Sequence, residues 1–199
     1  MFNIKFPKFG IIYILIASPI MFFCLFMSMS GTVSLSINNF AVDSSGCLYI
    51  GKDSAIEVVK DGKTIRELSP CTSRGYAFTI DSNDKIILSD AINLYEMDLF
   101  GNILSKREDR TSEINKLRKN SKYFNANDGS EYELLNNMGY YSIIHESSNS
   151  EIVTVYKMPI FDYIVKLLII LVCVSLIIIF PFIVYYAWKS IPAEKMWWK

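Results

Sequence analysis

One histidine, His145, occurs in 199 residues, so ligand sets built on several imidazoles are excluded from the start. A single imidazole can still act as a general base, but only beside a positioned nucleophile, and the sequence offers none. His145, on an apolar stretch beside Glu146, therefore reads as structural. No GxSxG, HExxH, P-loop or GxGxxG occurs, which removes the nucleophile elbow, the zinc-protease helix and the phosphate-cradling loops. Cysteine numbers four, none in a C-x-x-C pair, and the spacing fits no zinc pattern. Asp81-Ser-Asn-Asp84 lacks the glycine and closing glutamate of a calcium loop and reads as a β-turn. Net charge is missing too: 20 basic residues balance 20 acidic ones. Residues 32–158 hold more acids than bases, which is no nucleic-acid signature. These absences leave no catalytic, cofactor or metal site to assign, and the chain is expected not to be an enzyme.

What is abundant is apolar sequence, 51% of residues, unevenly placed. Phe9 to Met29 carries no charge, and Ile164 to Trp188 carries only Lys166. Each reaches the roughly 20 residues that cross a hydrocarbon core of about 30 Å. Both read as transmembrane helices, over 9–29 and 164–188. A cleaved signal peptide competes for the first run, but the run exceeds a typical signal core and Ser28-Met29-Ser30 is a poor cleavage site. Pro19 and Pro181 lie inside the runs, where membranes tolerate them when the freed carbonyls find partners.

Lys5 and Lys8 precede the first run with no acid, and Lys189, Lys195 and Lys199 follow the second against Glu194. Short basic flanks stay in the cytoplasm. The reading is a multi-pass plasma-membrane protein in the lipid bilayer, with residues 1–8 and 189–199 cytoplasmic and residues 32–158 extracytoplasmic. Tyr185, Tyr186, Trp188, Trp197 and Trp198 suit the inner interface, and Lys166 can snorkel at the outer end.

The middle segment repeats itself. Phe40, Val42, Asp43, Leu48, Ile50 and Ile56 match Phe78, Ile80, Asp81, Ile86, Leu88 and Leu94 at an offset of 38, and Gly62 matches Gly101 at 39. Each copy, 40–65 and 78–104, reads as strand, polar turn, strand, connection, strand, Gly turn, strand, because Asp-Gly and Asn/Ser/Asp clusters supply the positive φ of tight turns. A weaker third copy spans 124–157, where Asp128-Gly129 precedes Tyr132 as Ser45-Gly46 precedes Tyr49.

The pattern apolar-x-apolar-Asp-x-x-Gly-x-apolar-Tyr-apolar, followed by a strand ending Asp-Gly-Lys, resembles the blade of NHL and SMP-30-type β-propellers. The resemblance implies blade-like antiparallel meander sheets. It implies no active site, since no metal-ligand position of SMP-30-like enzymes can be matched. A propeller closes with roughly four to eight blades, and this chain has room for three at most. The expected fold is therefore a mainly β external domain, an incomplete propeller, flanked by two transmembrane α-helices.

Three further features bear on function. Cys47 and Cys71 are the external pair, and an oxidising compartment permits a disulfide between them. Lys106 to Lys122 interrupts the β pattern with Lys106, Arg107, Arg110, Lys116, Arg118, Lys119 and Lys122. Ile114 and Leu117 are spaced for one face of a short helix with Thr111 or Ser112 as N-cap. The seven cations form a possible patch for anionic partners, against the simpler reading of a solvated connector. Val33, Leu35 and Ile37 alternate with Ser34 and Ser36 as a strand leading into the first copy, and Gly139–Glu146 and Glu151–Lys157 read as a final hairpin. Asp43, Asp53, Asp81, Asp90 and Asp98 suit side-chain bonds to turn amides.

The expected function is a non-catalytic, membrane-anchored binding or interaction module, an accessory subunit of a membrane complex. An incomplete ring leaves a sheet edge open, and edges are templates for pairing with a protein partner or a second copy. The alternative is a ligand sensor that transmits through the two helices, although the cytoplasmic flanks are short.

Overall fold

Asp43 and Asp81 sit where the chain must reverse between two short apolar strands, and in the computed structural model both reversals are β-turns of one design. The Gly46 amide donates to the Asp43 carbonyl and the Asp84 amide to the Asp81 carbonyl. Gly46 has φ +78° and Asp84 +56°, the left-handed conformation that Gly and Asp accept at least cost. The structure describes residues 8–70, 72, 75–90, 92–109, 113–119, 122–126, 129–146 and 151–189. They divide into two compact units, one comprising Val33–Tyr163 and the other the helical segments outside it.

Within Val33–Tyr163 lie three antiparallel four-stranded meanders. The first is β1 (Asn39–Val42), β2 (Leu48–Gly51), β3 (Ile56–Lys60) and β4 (Lys63–Leu68); the second is β5 (Ala77–Ile80), β6 (Ile86–Ser89), β7 (Asn93–Met97) and β8 (Ile103–Glu108). A short helix, α2 (Glu113–Lys119), leads to the third: β9 (Tyr123–Asn125), β10 (Glu131–Asn137), β11 (Tyr140–Glu146) and β12 (Ile152–Lys157). Phe40 faces Ile50 as Phe78 faces Leu88, so the 38-residue repeat is a repeat of register. The single inserted residue lies in the last turn. In the first sheet Lys60 faces Lys63 across Asp61 (φ +51°) and Gly62 (φ +73°), a two-residue loop with both φ positive. In the second sheet the Asp98 amide bonds to the Asn102 carbonyl, one residue wider.

The third sheet follows the pattern and then leaves it. Tyr132 faces Phe124 as Tyr49 faces Ala41, so its first strand begins one residue earlier than the sequence suggests, at Tyr123. β10 then runs on to Asn137 and reverses at Met138 (φ +52°) and Gly139 (φ +90°). The turn at 147–150 lies outside the described residues.

The core explains the order of packing. Ala41, Tyr49, Ile56 and Val58 point from the first sheet into a cluster with Phe78, Ile86, Leu88 and Met97 of the second. The alternate residues Phe40, Val42, Leu48, Ile50 and Val59 join Ile143 and Tyr156 of the third. The first sheet is thus central and buried on both faces, which is why β1 and β2 are buried at every position and, Asn39 apart, do not alternate apolar with polar residues. The far face of the second sheet is covered by α2. Asp109 accepts bonds from the Glu113 and Ile114 amides, and Ser89, which alternates with core-facing Leu88, donates to the same carboxylate at 2.7 Å. Among the described residues Asp109 fills the role expected of Thr111 or Ser112, both of which lie outside them.

Two expectations are corrected. Residues 34–38 form no strand: the Ser34 amide donates to Asp162 Oδ2 (3.3 Å), the Leu35 amide to Asp53 Oδ2 (3.1 Å) and the Ser36 hydroxyl to Asp53 Oδ1 (2.6 Å). Carboxylates take the place of a neighbouring strand, and Asp53 serves this entry segment rather than a local turn. The basic interruption is also shorter than it reads, because Lys106 and Arg107 belong to β8, opposite Tyr95 and Leu94.

In the helical unit, α1 (Lys8–Met29) and α3 (Ile160–Lys189) are both long and apolar enough to cross a membrane. α3 begins four residues before the apolar run does. Pro19 and Pro181 lie inside unbroken helices. Tyr13 hydrogen-bonds with Ser175, and Phe9 meets Tyr186 edge to face at 6.0 Å. The flanks with Lys5, Lys195, Lys199, Trp197 and Trp198 lie outside the described residues.

Candidate functional site

The innermost strand of each meander, β1, β5 and β9, carries residues that converge on one cavity of about 430 Å³. Asn39 and Phe40 come from β1, Phe78 and Thr79 from β5, Tyr123, Phe124 and Asn125 from β9, and α2 adds Leu117 and Lys119. Three features of the fold create it. The first sheet is central, so β1 touches both of the other inner strands. α2 lies beyond the second sheet and closes that side. Gly51 at the end of β2 admits close approach: a Cβ there would lie 2.9 Å from Phe78 Cε1 and 3.0 Å from Asn39 Oδ1.

The lining is mixed: Phe40, Phe78, Tyr123 and Phe124 are aromatic, and Asn39, Thr79, Lys119 and Asn125 are polar. Phe40 and Phe124 pack with centroids 6.4 Å apart, and Phe78 stacks on Tyr76 at 6.3 Å. Asn39 is 1% exposed and donates through Nδ2 to the Phe78 carbonyl, while its Oδ1 has no hydrogen-bond partner among the described residues. A buried amide oxygen without a donor is costly, by about 1–3 kcal/mol, and this one lies against Gly51, where a Cβ would come to 3.0 Å. The Tyr123 hydroxyl donates to Glu133, and that bond, with the carboxylate's charge, raises the phenol above its ordinary value of 10.0. Among the described residues Lys119 is exposed and has no ion-pair partner, and none of those lining the cavity is acidic.

The cations singled out in the sequence are therefore spread over different elements. Lys106 on β8 lies over the Tyr95 ring, 5.3 Å from its centroid. Arg107 is also on β8, Lys116 pairs with Glu113 at 2.8 Å, and the Arg118 guanidinium lies against Gly75. Lys122 precedes β9 and accepts the Leu134 amide through its carbonyl. Arg110 lies outside the described residues, and only Lys119 lines the cavity. Cys47 is a buried free thiol, 3.2 Å from the Ser45 hydroxyl, and Cys71 lies outside the described residues. His145 stacks on Tyr132 at 4.6 Å.

A second polar cluster escaped the sequence reading. Lys52 Nζ lies 2.6 Å from Glu57 Oε2, with both side chains largely buried, and the Thr64 hydroxyl donates to the other carboxylate oxygen. The Lys52 carbonyl accepts the Tyr76 hydroxyl at 2.7 Å. Burial, and then the Glu57 and Asp162 charges, push the Tyr156 phenol well above its ordinary value. Glu57 and Thr64 meet diagonally, Glu57 being opposite Glu67 and Thr64 opposite Val59, only once the β3–β4 register is set, so no linear motif announces them.

No protein-family model matches the chain, and comparison with curated proteins gives no match. Among solved structures, a streptogramin B lyase structure aligns at 9% identity with a TM-score of 0.34, over 61% of this chain and 40% of that one. A protein of unknown function from Bacteroides caccae aligns at 14% identity with a TM-score of 0.32, over 59% of this chain and 44% of that one. The chain thus spans less than half the length of either. At such scores the alignments bear on neither mechanism nor ligand; the blade character rests on the sheet topology and the repeated register.

Proposed function

We propose that the chain is a non-catalytic, membrane-anchored binding module, held in the plasma membrane by α1 and α3 with both termini cytoplasmic, and an accessory subunit of a membrane complex. The observation that carries this reading is the convergence of three inner strands and α2 on one cavity in a unit whose sheets remain open. β8 exposes every side chain, and β4 and β12 expose most of theirs. Such edges recruit another strand. The occupant is a protein partner or a second copy of this chain. Photo-crosslinkers at Ile103 on β8 and Ile152 on β12, activated in native membranes, are expected to give a discrete adduct with one of these. Absence of an adduct from both positions would remove the interaction role.

The alternative, a ligand sensor, draws on one observation. Asp162, in the first turn of α3, accepts the Ser34 amide, so the two ends of the β unit are tied to each other. Occupancy of the cavity that altered this tie would reach both ends together. Ligand-dependent hydrogen exchange at Ser34 favours the sensor, and exchange unchanged by ligand favours the plain anchor.

A further inference from the structure

We propose that α1 pairs with α1 of a second copy of this chain through the groove it forms with α3, with Ser18 hydrogen-bonded to Ser18 across a two-fold axis. The inference rests on the membrane-anchored module reading and names a partner for its helical unit. One face of α1 is already taken: Gly10, Ala17 and Cys24, seven residues apart, are buried, and Tyr13 bonds to Ser175 of α3. Beside that face lies a groove of about 360 Å³ lined by Ile14, Ser18, Met21 and Leu25, with Val172 and Leu176 of α3 on its other wall. Together with Ile11 these α1 positions are spaced 3-4-3-4, the seam of a left-handed helix pair. Ile11, Ile14, Ser18 and Leu25 are exposed.

Ser18 decides the occupant. Ser175 satisfies its hydroxyl within the helical unit, donating to the Val172 carbonyl and bonding to Tyr13. Ser18 has no hydrogen-bond partner among the described residues, although it lines the groove. An acyl chain would fill the groove but gives the hydroxyl nothing to bond, and an unmatched polar group in hydrocarbon is costly. A serine hydroxyl both donates and accepts, so an identical serine is its complement. Two copies inserted in one bilayer with the same topology are related by a two-fold axis along the bilayer normal. That axis sets α1 beside α1 in parallel and brings equal positions together.

The full chain in lipid vesicles is oxidised after single substitutions to cysteine, with the parent chain as the control for its native thiols. Ile14→Cys, Ser18→Cys and Leu25→Cys are expected to convert most of the chain to a disulfide-linked dimer. Ile16→Cys and Phe23→Cys, exposed on the opposite face of α1, should stay at the parent's level. In a lipid-dilution series followed by energy transfer between labelled copies, Ser18→Ala should weaken the dimer about threefold, the size of one interhelical hydrogen bond in a bilayer. Ser18→Thr, which keeps the hydroxyl, should hold the parent's value. The inference is overturned if the groove positions crosslink no better than Ile16→Cys and Phe23→Cys, or if Ser18→Ala dimerises as tightly as the parent chain. Capture of a chain of different mass by the groove cysteines in native membranes would overturn it as well. Adducts from Ile103 or Ile152 that persist while the groove cysteines fail would remove the α1 pairing and leave the interaction module standing. Loss of both would remove the module too.

Discussion

Asp43 shows how one side chain organises a turn and a core at once. Its Oδ1 accepts the Ser45 amide and hydroxyl and the Cys47 amide at 2.8–2.9 Å, and its Oδ2 accepts the Tyr49 hydroxyl at 3.3 Å. Asp43→Ala should cost about 1–3 kcal/mol, since it leaves buried donors unmatched; denaturant unfolding of the full chain in detergent measures it. Asp90 repeats the arrangement inside the second sheet. Burial alone would raise its carboxyl, but the Asn93 and Ile92 amides and the Asn93 and Tyr95 side chains overcome that and hold it below its ordinary 3.8. A folded value below the unfolded one means stability that is present above about pH 4 and lost as pH falls through the folded value. Asp90→Asn should therefore flatten the acid limb of the stability profile, measured between pH 2 and 6, with little change in its shape near neutrality. These aspartates were legible in the sequence because an Asx turn is a local event. Asn39 was not, because its partner Phe78 lies 39 residues away and is met only through sheet packing.

At the scale of elements, the repeat predicted eight strands of two sheets and the extra residue in the second Gly turn, since strand register and turn length are written in neighbouring residues. It mispredicted the 33–37 segment, where alternation suggested a strand and the amides instead went to Asp53 and Asp162. Alternation specifies a face to bury but not the hydrogen-bond partner. Packing between elements gives two tests. Gly51→Ala would press a Cβ to 2.9 Å from Phe78 Cε1 and to 3.0 Å from Asn39 Oδ1, and should destabilise by about 1–3 kcal/mol through overpacking between the first two sheets. Ile114, 4% exposed on α2, anchors the helix over the second sheet. Ile114→Ala should cost about 2–4 kcal/mol, with hydrogen exchange accelerated in α2 before the strands. Were α2 to exchange as in the parent, its role in closing the cavity would fail.

At the scale of the molecule, two apolar helices bracket a unit in which three blade-like sheets stand in the spatial order third, first, second, with α2 beyond the second. The bracketing was plain from apolar run length. The spatial order was not, because the blades are similar in sequence and only their different neighbours set which is buried on both faces. The cavity was equally hidden: it draws on four elements from β1 to β9, and the basic connector that broke the repeat contributes one cation to it rather than a patch. The most direct test of a binding module facing away from the cytosol is thiol labelling in intact cells. Lys63→Cys, exposed at the start of β4, is treated with a membrane-impermeant maleimide before and after permeabilisation, against the parent chain. The expected result is full additional labelling in intact cells with no further gain on permeabilisation; labelling that appears only after permeabilisation would contradict the account.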